Sequence, residues 1–284
     1  MIRHVALIVL AAVVGQVAAQ GQTPAATNRA GSTASVGLDR YTLKAGPLVI
    51  DPGAVNCSGV AFIPETSTLL VVQNKPTRLL ELDLDGKLRR SIELAGFDDT
   101  EDVACVGKGV LAVVEERRRN LCVFPFRPGE KSAPYDSTEK TLVDPVDGDN
   151  VSIEGVAYDA AHKRFFIVKE KQPRKIYEVL TPVAGKPATI TTPWDIEAQS
   201  FGCSDLSGIY FHAASGHLLI LSDESKCVVE ATVTGQESGR LSLRAGSAGM
   251  PSDAPQPEGI TMDDNGNLYI VSEPNLLYIF ARQP

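Results

Sequence analysis

Between Asn56 and the C-terminus, short apolar runs alternate with clusters of Gly, Pro, Asp, Asn and Ser. The stretch "DLSGIYFHAASGHLLILSDESK", residues 205–226, has two such runs around a small turn, with Asp205 and Ser207 before the first and Ser222, Asp223 and Glu224 after the second. Four other stretches share its order. They are "NCSGVAFIPETSTLLVVQNKPTRLLELDL" from Asn56, "TEDVACVGKGVLAVVEERRRNLCVF" from Thr100, "IEGVAYDAAHKRFFIVKEKQPRKIYEV" from Ile153 and "PEGITMDDNGNLYIVSEPNLLYIF" from Pro257. Each starts with Ser or Glu, usually followed by Gly, and continues as apolar strand, turn, apolar strand, polar cluster and third strand. The Gly-equivalent positions are 59, 102 (Asp here), 155, 208 and 259, in steps of 43, 53, 53 and 51. A period of about 50 residues with several strands per unit predicts an all-β fold, a β-propeller. Five blades are expected. "YTLKAGPLVI", Tyr41 to Ile50, would supply the outer strand of the last blade. The alternative is six blades, with a degenerate one inside 127–150 or 181–203.

In a propeller the first strand of each blade lines the central channel and the second runs back beside it. Residues just before the first strand and just after the second therefore meet at one mouth. The inner set is Ser58, Glu101, Glu154, Ser207 and Glu258; the outer set is Asn74, Glu116, Glu170, Asp223 and Glu273. Their separations are 16, 15, 16, 16 and 15, the span of two short strands and a turn. Seven of the ten are carboxylates, with Asp99, Asp102, Glu115, Asp205 and Glu224 close by. Like charges so crowded resist ionisation unless cations neutralise them. Lys75, Arg117, Lys169 and Lys171 are candidate internal bases. Calcium, a hard cation that takes six to eight oxygens, is the expected exogenous one. The candidate metal ligands are Glu101, Glu116, Glu154, Glu170, Asp205 and Glu258. The candidate ligand-binding residues are Ser58, Asn74, Lys75, Lys169, Lys171, Ser207, Asp223 and Glu273. The competing reading is structural: acidic side chains also cap strand ends.

Composition narrows the partners. A formal charge of -8 and a pI of about 5.1 provide no basic field for nucleic acid. The first nineteen residues read as an export signal, with Arg3 and His4, an apolar stretch from Val5 to Val14, and small residues up to an expected cut after Ala19. Residues 20–37 read as a flexible tether and 38–284 as one propeller domain. No later run is long and apolar enough to span a bilayer, so a periplasmic or secreted monomer is expected. The five cysteines are odd in number, lack a Cys-x-x-Cys pair and assign no particular disulfide.

Absences shape the chemistry. His162, His212 and His217 fall in turns at the opposite face, where they read as exposed turn residues, so Ser58 and Ser207 lack a catalytic base. Gly-x-Ser-x-Gly, phosphate-loop and dinucleotide motifs are missing. No catalytic residue is assigned, and any catalysis would rest on carboxylates with calcium activating water. Trp194 reads as packing against the propeller flank.

Four blades, in order, carry a resemblance: "GFDDTEDVACVGKGVLAVVEERR", "EGVAYDAAHKRFFIVKEKQPRKIYEV", "DLSGIYFHAASGHLLILSDES" and "PEGITMDDNGNLYIVSEPNLLYIF". Over about residues 45–282 the chain resembles the SdiA-regulated (YjiK/CarP) family of exported bacterial β-propellers. The resemblance implies a link to calcium-responsive regulation and distant kinship with calcium-dependent phytase and lactonase-type propellers, without a firmly assigned reaction. Asp102-Val103 departs from it, since Glu-Gly is more usual there. Three functions follow as expectations. The first is a non-enzymatic propeller that binds calcium or a small ligand at the acidic mouth. The second is a calcium-dependent hydrolase of a phosphoester or lactone, with Glu101, Glu154 and Glu258 on the metal and Lys75, Lys169 or Lys171 on the substrate. The third is a scaffold for another envelope protein.

Overall fold

The computed structural model describes residues 34–144, 153–180, 187–199 and 201–284. The expected signal segment 1–19 and residues 20–33 of the expected tether lie outside the described residues. Strand β1 (Tyr41–Val49) comes first. Blade one follows with β2 (Cys57–Ile63), β3 (Thr68–Gln73), β4 (Arg78–Leu82) and β5 (Leu88–Ala95). Blade two has β6 (Thr100–Cys105), β7 (Val110–Glu115) and β8 (Asn120–Pro125). Strand β9 (Ser132–Pro134) then turns back to pair in parallel with β5, and β10 (Glu139–Leu142) completes blade two against β8. The segment 127–150, considered above for a hidden sixth blade, thus adds its described strands to blades one and two.

Blade three is β11 (Ile153–Asp159), β12 (Arg164–Lys169), β13 (Lys175–Leu180) and β14 (Thr189–Thr191). Blade four is β15 (Gly208–His212), β16 (His217–Ser222), β17 (Cys227–Thr232) and β18 (Glu237–Ser242). Blade five is β19 (Gln256–Met262), β20 (Leu268–Glu273) and β21 (Leu276–Arg282). Strand β1 pairs antiparallel with β21 as the outermost strand of this sheet. The five sheets form a five-bladed propeller, and β2, β6, β11, β15 and β19 neighbour one another around a closed ring.

The continuous apolar runs of the second strands have a direct cause. Successive strand residues point to opposite faces, and both faces of each blade are covered by neighbours. In β3, Leu69 and Val71 pack toward blade five, whereas Leu70 and Val72 pack toward blade two. The core is therefore five separate sandwiches, one between each pair of adjacent blades. Trp194 lies in the sandwich between blades three and four, edge-on to Phe201 at 5.2 Å between ring centres, in the packing role expected of it.

The repeated glycine marks the closest approach of adjacent first strands. A Cβ on Gly155 would sit 2.9 Å from the Gly208 Cα, and one on Gly208 only 2.5 Å from the Glu258 carbonyl oxygen. One on Gly259 would sit 2.6 Å from the Ser58 carbonyl oxygen. At the one blade that lacks the glycine, Asp102 fills the gap with its carboxylate. Its oxygens accept the backbone N–H groups of Val103 and Val156, each at 2.8 Å, and that of Val60. One side chain thereby joins the first strands of blades one, two and three. Burial pushes the Asp102 carboxyl well above the usual carboxylate range, against three N–H donors that favour its ionised form.

Candidate functional site

The two sets of polar residues do meet at one mouth, but the inner set arrives there by a device the sequence pattern did not announce. The first strands begin earlier than expected, and their ladders skip a register at Ser58-Gly59, Glu101, Glu154 and Glu258. Four of the five inner residues therefore sit at β-bulges. A bulge leaves a residue out of the cross-strand ladder and re-aims its side chain. Ser207 differs: it precedes β15, and its hydroxyl donates to the Pro257 carbonyl at 2.7 Å. The outer residues follow the second strands directly, except Glu273, the last residue of β20. The Asn74 and Glu116 amides continue the ladder by donating to the Asn56 and Asp99 carbonyls at 3.0 and 2.9 Å.

The carboxylates perturb one another around the ring. Burial pushes Glu101 up to about 8, with the charges of Glu116 and Asp99 adding to the effect. Glu154 is pushed well above its ordinary value by burial, then by Glu101, Glu116, Glu258 and Glu170. Glu258 is raised by burial and by Asp223, Glu273, Glu101 and Asp205, and Glu273 by burial and Asp223. Among the described residues, none of Glu101, Glu154, Glu258 and Glu273 has a Lys, Arg or His nitrogen within 4.0 Å.

The internal bases serve the periphery instead. Lys171 pairs with Glu170 at 2.7 Å and Glu224 at 3.1 Å. Lys169 reaches Asp144 at 3.1 Å. Arg117 holds Asp99 at 2.7 Å, with the largely exposed Lys75 3.9 Å from the same carboxylate. Lys226, which the sequence reading missed, binds Asp223 at 2.6 Å. Asp205 accepts the Ser222 hydroxyl and the amides of Asp223 and Glu224, each at 3.1 Å, so it fixes the turn that presents those two acids. Glu115 is fully buried and takes the Asp98 amide and Arg118, both at 2.8 Å, on the blade interior.

The densest point is at blade two. One carboxylate oxygen each from Asp99, Glu101 and Glu116 lie within 4.8 Å of one another. The Asn74 side chain inserts between two of them, donating to Asp99 at 3.0 Å and Glu101 at 2.9 Å. Its Oδ1 is buried without a partner, an orphan acceptor beside three acids. The donor set is oxygen only, the kind that suits a hard divalent cation such as calcium rather than zinc. Asp99 was absent from the expected ligand set. It precedes Glu101 by two residues, the offset of Asn56 from Ser58 and of Asp205 from Ser207, so the signal was present in the repeat.

The opposite face corrects one expectation. His162 is exposed beside Asp159, and His212 is half-buried with its Nδ1 2.8 Å from the Ser215 hydroxyl. His217, however, is buried at 5% exposure with its Nδ1 2.6 Å from Glu230. Glu230 also accepts the Val36 amide at 2.7 Å and the Ser35 hydroxyl at 2.8 Å, which fastens residues 35–36 to blade four.

The profile of the SdiA-regulated family matches residues 33–281. Among solved structures, the fold is similar to a calcium-binding protein, regucalcin, from Agrobacterium tumefaciens, at 12% identity over 84% of this chain and 94% of that one, with a TM-score of 0.54. It is also similar to a gluconolactonase from Xanthomonas campestris, at 13% identity over 85% and 97% of the two chains, TM-score 0.52. A luciferin-regenerating enzyme matches at 11% identity over 85% and 94%, TM-score 0.52. At such identities the likeness is one of fold, and this fold carries both binding and catalysis.

Proposed function

The chain belongs to the SdiA-regulated family, and from that membership and the acidic mouth we propose an exported propeller that binds a divalent cation, calcium foremost. The observation that carries the reading is the triad Asp99, Glu101 and Glu116 with Asn74 inserted among them. Three acids packed this closely repel one another, and Arg117 and Lys75 both pair with Asp99. A bound cation would offset that repulsion, with Asp99, Glu101 and Glu116 as ligands and the Asn74 carboxamide turned to offer its oxygen. Glu154, Glu170, Glu258, Glu273 and Asp223 extend the negative field around the channel and would draw the ion in. The calcium-binding regucalcin of similar fold supports the choice of ion. Export rests on the leader-like residues 1–19. Among the described residues, no helix is long and apolar enough to cross a membrane.

A second reading keeps the cation and adds hydrolysis of a lactone or phosphoester. Its support is Glu154 and Glu258, whose carboxyls are raised above the usual carboxylate range by burial and by neighbouring acids, the direction that suits a proton donor to a leaving oxygen. The gluconolactonase of similar fold is compatible with this reading. Thermal melting with and without calcium tests the shared premise: a ligand at 100 times its Kd stabilises the folded state by about 2.7 kcal/mol. No shift at millimolar calcium would sink both readings. Given a shift, turnover of lactones or phosphoesters that is abolished by chelator separates enzyme from binder.

A further inference from the structure

Two of the five cysteines meet. Cys203 lies in the segment joining blades three and four, Cys227 opens β17, and their sulfurs are 3.9 Å apart with both residues buried. No other pair of cysteine sulfurs is in such contact among the described residues. The approach is held from both sides. The Ser204 amide donates to the Ser225 hydroxyl at 2.9 Å, and that hydroxyl in turn lies 3.3 Å from the Gly202 carbonyl. Arg174 donates to the Cys203 carbonyl. Arg240 bridges the two partners, donating to the Cys227 sulfur at 3.2 Å and to the Phe201 carbonyl.

We propose that Cys203 and Cys227 form a disulfide that fastens the inter-blade segment to blade four beside the acidic mouth. Bonding requires the sulfurs to close from 3.9 Å to about 2.05 Å. The Cys203 thiolate attacks a small or protein disulfide, breaking its S–S bond, forming a mixed disulfide and expelling one thiolate. Cys227 then loses its proton and attacks the Cys203 sulfur, forming the intramolecular bond and expelling the second thiol. Two protein thiols are oxidised and one donor disulfide is reduced to two thiols. Asp205, two residues after Cys203, anchors the turn bearing Asp223 and Glu224, so the bond would lock that part of the mouth.

The test uses the full chain equilibrated with glutathione disulfide, then unfolded, alkylated and weighed. Three alkylated thiols are expected, against five after reduction. Trypsin cuts between Lys226 and Cys227, so the peptide ending at Lys226 should remain joined to the one starting at Cys227 until reduced. Reduction should lower the melting midpoint of the wild type and leave that of C203S unmoved. The peptide map needs no variant and stands if C203S fails to fold. Five alkylated thiols after oxidation, or a linkage through Cys57, Cys105 or Cys122, would overturn the proposal. Neither result bears on cation binding, which is measured separately.

Discussion

Asp102 replaces the repeated glycine and ought to be a strong point of the ring rather than a tolerated exception. Asp102→Ala would strip the acceptor from three backbone N–H groups, those of Val60, Val103 and Val156. At about 1 kcal/mol each, the low end for an orphaned buried donor, the loss is about 3 kcal/mol. The low end is appropriate because removing a buried acid relieves part of its burial cost. For a chain of this size that corresponds to a fall of about 6–12 °C in Tm. Asp102→Asn is the sharper probe. It keeps the shape and one acceptor oxygen, but its NH2 would face an N–H donor, so it should melt close to Asp102→Ala and well below wild type. Scanning calorimetry in chelator at pH 7 reads the effect without interference from metal. If Asp102→Asn melts with the wild type, the carboxylate is not the three-blade clasp described here.

Other consequences can be checked alongside. Gly208→Ala would drive a Cβ to 2.5 Å from the Glu258 carbonyl, so it should cost about 1–3 kcal/mol or more and reduce the yield of folded protein, read by denaturant unfolding. Without metal, stability should fall as pH rises from about 4.5 to 8. Glu101 is raised to about 8, so over that window the folded state keeps a proton that the unfolded state has lost. A Tm that rises over that window in chelator would contradict this. Glu230→Gln should loosen residues 35–36, seen as faster hydrogen exchange at the Val36 amide, because the neutral amide is a weaker acceptor for it and for His217.

The period, the five blades and the two polar sets were legible because each blade repeats the same local signals: a glycine, two apolar runs and a polar cluster. The misses are non-local. The bulges at Glu101, Glu154 and Glu258 depend on cross-strand register, which no single strand encodes. The parallel pairing of Ser132–Pro134 with β5 joins segments separated by β6, β7 and β8. His217 looked like a turn residue, yet its burial is set by Glu230 across the sheet and by the returning residues 35–36. The Cys203–Cys227 contact likewise emerges only when the segment after blade three folds back on β17. Asp99 is the exception: its two-residue offset was visible, and only the packing showed that it completes the cluster.

A cation site at Asp99, Glu101 and Glu116 is read out by calorimetric calcium titration of wild type, Glu101→Gln and Glu258→Gln. One saturable site is expected in the wild type, with an affinity at least about tenfold weaker in Glu101→Gln and a near wild-type affinity in Glu258→Gln, since a ligand carboxylate contributes more than about 1.4 kcal/mol and a distant one less. Absence of binding in the wild type, or equal affinities for wild type and Glu101→Gln, would contradict a cation site at Asp99, Glu101 and Glu116.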